Sequence, residues 1–188
     1  MARPGTSTPG DLLLAVVRQR RTTATVSAPP GWNLVRTDAG SARSTLFYKV
    51  TTSNEPGTYA FGTGTSVADL AAHILRYSGI DTSSPGSPIL ASAVKSNTGT
   101  KSGSSVVAPS LTPSMPGALY VAFWSAGKSA SVSSPTGLTE RSETSALMAL
   151  ASADTVLPST TSSGTRSAAL SVSADRRIGQ AVLLRPAS

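Results

Sequence analysis

The chain has 188 residues, no cysteine, a single histidine and a formal net charge of +7. Disulfides and thiolate metal sites are therefore impossible, and one histidine is too few for a usual zinc centre, which needs three or more nitrogen or sulfur ligands. Charged residues make up only 13%, against about 25% in a typical domain, which excludes charge-driven disorder and points to a thin, hydroxyl-rich sheet protein.

Short apolar runs bounded by Gly, Pro, Ser, Thr or Asn predict strands near 12–18, 23–27, 33–37, 45–51, 58–62, 68–77, 89–95, 105–111, 117–124, 130–133, 138–142, 146–153, 166–172 and 178–185. The turns between them are carried by "APPG" (28–31), "NEPG" (54–57), "SPGS" (84–87) and "NTG" (97–99), where proline fixes φ and glycine permits positive φ. The segment "SVADLAAHIL" (66–75) allows a short helix as an alternative to a strand. The first apolar run, Leu12 to Val17, does not alternate. Such a run fits a central strand covered on both faces, or one packed beside a layer of loops. The cations that follow it, Arg18, Arg20 and Arg21, are then expected at the rim. The run is far too short to cross a bilayer, and no cationic segment leads into it as in a cleavable leader. No membrane association is expected.

A weak internal repeat runs through the chain. "PGDLLLAVV" (9–17) parallels "PGALYVAFW" (116–124), and "SAPPGWNLVR" (27–36) parallels "SSPTGLTERS" (133–142). "STLFYKVTT" (44–52) parallels "SALMALASA" (145–153), and "AAHILRYSG" (71–79) parallels "GQAVLLRPA" (179–187). The four matches are collinear. The expected fold is an all-β, antiparallel, jelly-roll-like sandwich, a single domain over 1–188. Its pseudo-twofold halves lie at about 9–80 and 89–187.

The search for chemistry is brief. A Ser–His–acid triad would have to run through His73, and no "G-x-S-x-G" elbow is present. Glu140 and Glu143 are close in sequence, but an i, i+3 pair on a strand points to opposite faces. "AFWSAGKS" (122–129) matches a relaxed phosphate-loop pattern, yet it is crowded by Phe123 and Trp124 and lacks the following helix. No catalytic residue, metal ligand or cofactor is expected. The positive charges are scattered and not interleaved with aromatic residues, so specific nucleic-acid binding is not expected either. Tyr59 and Trp124 are the candidates for stacking on sugars, should the chain be a carbohydrate-binding module.

The succession "PGDLLLA", "PPGWNLV", "LFYKVTTSNEPGTYAF", "ILRYSGID" and, at the far end, "GQAVLLRP" resembles a β-sandwich family. That family is found in tailed-bacteriophage virion proteins and in some actinobacterial surface proteins. The resemblance implies a non-enzymatic structural protein, made in the host bacterial cytoplasm and carried on the virion. It would be present in many copies as a capsid decoration protein or, nearly tied, a minor tail protein. Its partners would be the major capsid protein or tail proteins, with a host cell-wall glycan module as the alternative. Docking contacts are expected from Arg3 and Pro4 and from Arg18, Arg20 and Arg21, since a basic surface suits an acidic shell.

Overall fold

The structure, a computed structural model, describes residues 1–5, 7–20, 25–63, 69–83, 88–97 and 101–187. Its strands are β1 (Leu12–Gln19), β2 (Asn33–Ala39), β3 (Arg43–Val50), β4 (Leu70–Tyr77), β5 (Ile89–Asn97) and β6 (Gly103–Ala108). The second half adds β7 (Ala118–Ala126), β8 (Val132–Ser133), β9 (Thr139–Thr144), β10 (Ala149–Leu157), β11 (Arg166–Ala174) and β12 (Arg177–Leu184). There is no helix among the described residues, and the expected all-β sandwich of antiparallel sheets is what the chain forms.

Three sheets are stacked. The first runs β2-β3-β1-β4, the central one β5-β12-β7-β10-β9, and the third β6-β11-β8. One core lies between the first and central sheets, built from Leu12, Leu14, Val16, Leu46, Leu75 and Tyr77 against Val121, Phe123, Met148, Leu150, Val182 and Leu184. A second fills the space between the central and third sheets, with Tyr120, Trp124, Val106, Leu170 and Leu183 among its members. A third caps the outer face of the first sheet, where Leu13, Ala15, Val17 and Phe47 meet Val26, Trp32, Tyr59 and the partly buried Met1 and Phe61. Trp32 is wedged edge-on between Tyr59 and Phe61, both at 5.1 Å.

This layering explains the non-alternating runs. Even-numbered residues of β1 face the central sheet and odd-numbered ones face the loop layer, so every residue of β1 is buried. β7 stands likewise between two cores. A strand covered on both faces gains burial from every side chain, about 1.5–3 kcal/mol for each Leu or Val. It therefore has no reason to alternate.

The repeat is written in the topology. The order β2-β3-β1-β4 recurs in the central sheet as β9-β10-β7-β12, to which β5 is added at the outside. Leu14 lies between Tyr48 and Leu75, and its counterpart Val121 lies between Asp154 and Val182. Gly10 and Gly117 open the equivalent strands with φ of 93° and 79°, and Gly31 and Gly137 precede β2 and β9 with φ of 84° and 81°. Both outer pairs carry a bulge at matching positions, one at Val35 and one at Arg141. The register corrects two of the four sequence matches. Tyr48 is equivalent to Asp154, not to Ala149, and Leu75 to Val182, not to Leu183.

Two expected strands shrink to isolated bridges. Of residues 23–27, 23 and 24 lie outside the described residues; 25–27 and 58–62 supply only Ser27↔Gly62 and Ala2↔Thr58, because Val26, Tyr59 and Phe61 pack on the outer face of the first sheet as its cover. The strand expected over 105–111 stops at Ala108, since Pro109 has no N–H to continue the ladder. Residues 70–75 of the possible helix pair one by one with β1, while 66–68 lie outside the described residues. The "AFWSAGKS" segment ends β7 and bends at Gly127 and Lys128, with no helix after it.

Candidate functional site

The histidine is the first residue to place. His73 is on β4, its ring stacked on Phe123 at 6.2 Å, and neither ring nitrogen has a hydrogen-bond partner or contact with solvent. Burial holds its pKa down to about 4. The equivalent position on β12 is Gln180, which does find partners: its amide donates to Asp38, and its carbonyl accepts from Ser44 Oγ at 2.6 Å. His73 is thus a neutral, partly buried residue whose ring nitrogens are shut off from solvent. The unfolded chain binds its proton near pH 6.5 and the fold only near 4, so acid favours unfolding across that window. Urea titrations should show stability falling by up to about 3 kcal/mol between pH 7 and pH 4 on this account. His73→Phe should flatten that slope. An unchanged slope in the variant would assign the acid sensitivity elsewhere.

The acids are equally engaged. Glu55 accepts hydrogen bonds from Tyr59 Oη, the Thr52 amide and hydroxyl, and lies 3.3 Å from Lys49 Nζ. Burial pushes its pKa up, but these hydrogen bonds outweigh it and hold the carboxyl at about 2. Asp11 accepts from the Thr8 amide at 2.7 Å and pairs with Arg76 at 3.3 Å. Asp154, 2% exposed, takes a two-pronged bond from Arg141 at 2.7 and 2.9 Å. Among the described residues no three of His, Asp and Glu cluster as metal ligands. The bulge at Arg141 puts Glu140 and Glu143 on one face of β9, opposite Ala153 and Ala151, which corrects the expectation of opposite faces, and there they accept from Ser134 Oγ and the Val132 amide.

The docking candidates separate sharply. Arg3 is partly exposed and donates to the Glu55 carbonyl at 2.8 Å. Pro4 lines a groove described below. Arg20 is at the surface, paired with Asp69 at 3.2 Å. Arg21 lies outside the described residues. Arg18 corrects the expectation of a rim cation, for it is 0% exposed. It shares the inward face of β1 with Leu12, Leu14 and Val16, and its guanidinium donates to the carbonyls of Gln19, Arg43 and Arg176 at 2.6, 3.1 and 2.6 Å. Trp124 is also fully buried, with Nε1 bonded to the Arg166 carbonyl, and Tyr59 is 4% exposed. Neither presents a face to a sugar, which removes both from the glycan contacts expected of them.

The feature with most to offer a partner is a groove of about 380 Å³ beside the outer edge of β4. Ile74–Tyr77 of β4 line one side, Pro4 and Gly5 a second, and Arg141 and Ser142 of β9 a third. The bulge in β9 leaves Arg141 as the unpaired extra residue, which re-aims its side chain. The Arg76 and Arg141 side chains are 33% and 47% exposed, whereas those of Asp11 and Asp154 are 7% and 2% exposed. The groove therefore shows solvent the positive end of each pair. Tyr77 beneath it is buried, and its pKa is raised well above the ordinary value by that burial and then by the Asp154 charge. This groove lay beyond the reach of the sequence, although the bulge position was aligned correctly in the repeat. Comparison with protein-family models, with curated proteins and with solved structures finds no match to this chain.

Proposed function

We propose that the protein is a non-enzymatic structural component of a tailed-phage particle, displayed on the capsid as a decoration protein, with a minor tail protein as the close variant. The observation that carries this reading is where the chemistry-bearing groups lie. The ring nitrogens of His73 are buried and its imidazole is held neutral, and Glu55, Asp11 and Asp154 are tied to their neighbours. What remains for function is a basic surface on a stacked-sheet body. The sequence resemblance to phage β-sandwich proteins supports the same assignment. A basic surface docks on an acidic lattice by complementary potential, which affects association rate and salt dependence most.

The test is occupancy on purified particles. Arg3, Arg20 and Arg21 together changed to alanine should lower apparent affinity about tenfold at moderate salt, at about 0.5 kcal/mol for each charge removed. Raising the salt should shrink that difference. Occupancy that is unchanged at all salt concentrations would remove these arginines from the contact. Absence of any binding to capsid or tail preparations would remove the reading itself.

A further inference from the structure

The two halves differ at one edge. β12 is paired on both sides, with β7 within and β5 without. Its equivalent, β4, is paired with β1 alone among the described residues. Among the described residues, the other equivalent outer strands, β2 and β9, are edges in both halves, so only the β4 edge has a counterpart that is filled. The groove described above runs along that edge at Ile74–Tyr77.

We infer that the outer edge of β4 is a docking site for one added antiparallel strand, supplied by an acidic extended segment of another protein. β5 shows what fits. Opposite Ala181, Val182 and Leu183 it places Ala93, Ser92 and Ala91, and those β12 residues are the equivalents of Ile74, Leu75 and Arg76. Small side chains suit the strand position, and main-chain hydrogen bonds supply the affinity, as in other strand additions. Charge selects the occupant. Arg76 and Arg141 face solvent while their carboxylates do not; Arg20, beside the start of β4, is paired with the partly exposed Asp69 and adds little to this field. A second copy of this chain would bring +7 against +7, whereas an acidic segment gains at Arg76 and Arg141. The inference does not depend on the virion assignment, since the groove would take such a segment from any partner.

The probe is a synthetic peptide of β5's own sequence carrying Lys95→Glu, with two glutamates added at each end, and a matched peptide with lysines in their place. With the acidic peptide, amide exchange followed by NMR should slow on alternate residues of Leu70–Tyr77, with an affinity that falls as salt rises. Ser142→Glu, a change at the groove wall, should weaken binding about threefold to fivefold, and Ser142→Lys should strengthen it by a similar factor. The inference is overturned if millimolar acidic peptide protects no β4 amide, if protection appears on β12 or another edge, or if the lysine peptide binds equally well. Self-association that protects the β4 amides without peptide would also overturn it, by making a second copy the occupant. Peptide binding by a protein that fails to dock on particles upholds this inference and removes only the virion assignment.

Discussion

Arg18→Ala should destabilise the fold by about 3–5 kcal/mol, the cost of breaking a buried charged network and leaving a cavity. The guanidinium ties three segments together through carbonyls: the end of β1 at Gln19, the start of β3 at Arg43, and the β11–β12 turn at Arg176. That turn holds the one non-glycine residue with positive φ among the described residues, Arg176 at 47°. Burial and then the Arg176 charge lower the Arg18 pKa to about 10, against the pull of Asp175, so the group stays charged at neutral pH. Arg18→Met keeps most of the stem volume and should lose less than the alanine variant, the difference isolating packing from hydrogen bonding. Urea unfolding of both variants at pH 7 measures this. An alanine variant within about 1 kcal/mol of the parent would show that the carbonyls do not need the cation, since an ordinary hydrogen bond nets about that much.

Gly179→Ala should do more harm still and leave little or no folded protein. Gly179 is in β12, on the face toward the third sheet, where the β6 main chain passes over it. A Cβ there would lie 2.0 Å from the Val107 carbonyl oxygen and 2.5 Å from its carbon. Both obstacles are backbone, so no rotamer change relieves them. β6 would have to lift from the central sheet and open the core containing Val106, Ala108 and Trp124. Effects beyond about 4 kcal/mol are exceptional for one substitution, and such a backbone collision belongs to that group. The equivalent position on β4 is Ala72, which packs beneath the loop cover. The mirror change Ala72→Gly should cost only about 0.5–1 kcal/mol, from backbone entropy. Far- and near-ultraviolet circular dichroism with soluble yield distinguishes the two outcomes. A well-folded Gly179→Ala protein would mean that β6 approaches less closely than the structure places it.

Much of the architecture was legible because its causes are local. The unbroken runs of β1 and β7 signal cover on both faces, and the paired "PG" turns mark equivalent strand starts. The collinear repeat corresponds to the shared strand order of the first and central sheets, while the third sheet has no counterpart in it. What was not legible depends on register and on distant cover. The "STLFYKVTT" match slipped because Ser and Ala look alike at many offsets, and only cross-strand rows such as Leu14 with Tyr48 and Leu75 fix the alignment. Trp124 and Tyr59 seemed available to a ligand because nothing near them in sequence announces the layers that bury them. Arg18 is the instructive case. Its parity with Leu12, Leu14 and Val16 was enough to put it on the inward face. What the sequence does not contain is the β11–β12 turn, which supplies a carbonyl from 158 positions away. The groove beside β4 escapes for the same reason, since its three walls come from the amino-terminal arm, β4 and β9.

The inward faces of the two halves are equivalent surfaces packed on one another, Leu12, Leu14 and Val16 of one beside Leu119, Val121 and Phe123 of the other. That is the geometry of an isologous contact between identical subunits, here carried by one continuous polypeptide. A true dimer of such halves would melt at a temperature set by dilution, because dissociation is part of its unfolding. Covalent connection replaces that concentration with a fixed local one. A protein built this way keeps its shape as a solitary molecule at any dilution, and its unfolding midpoint should not move with protein concentration.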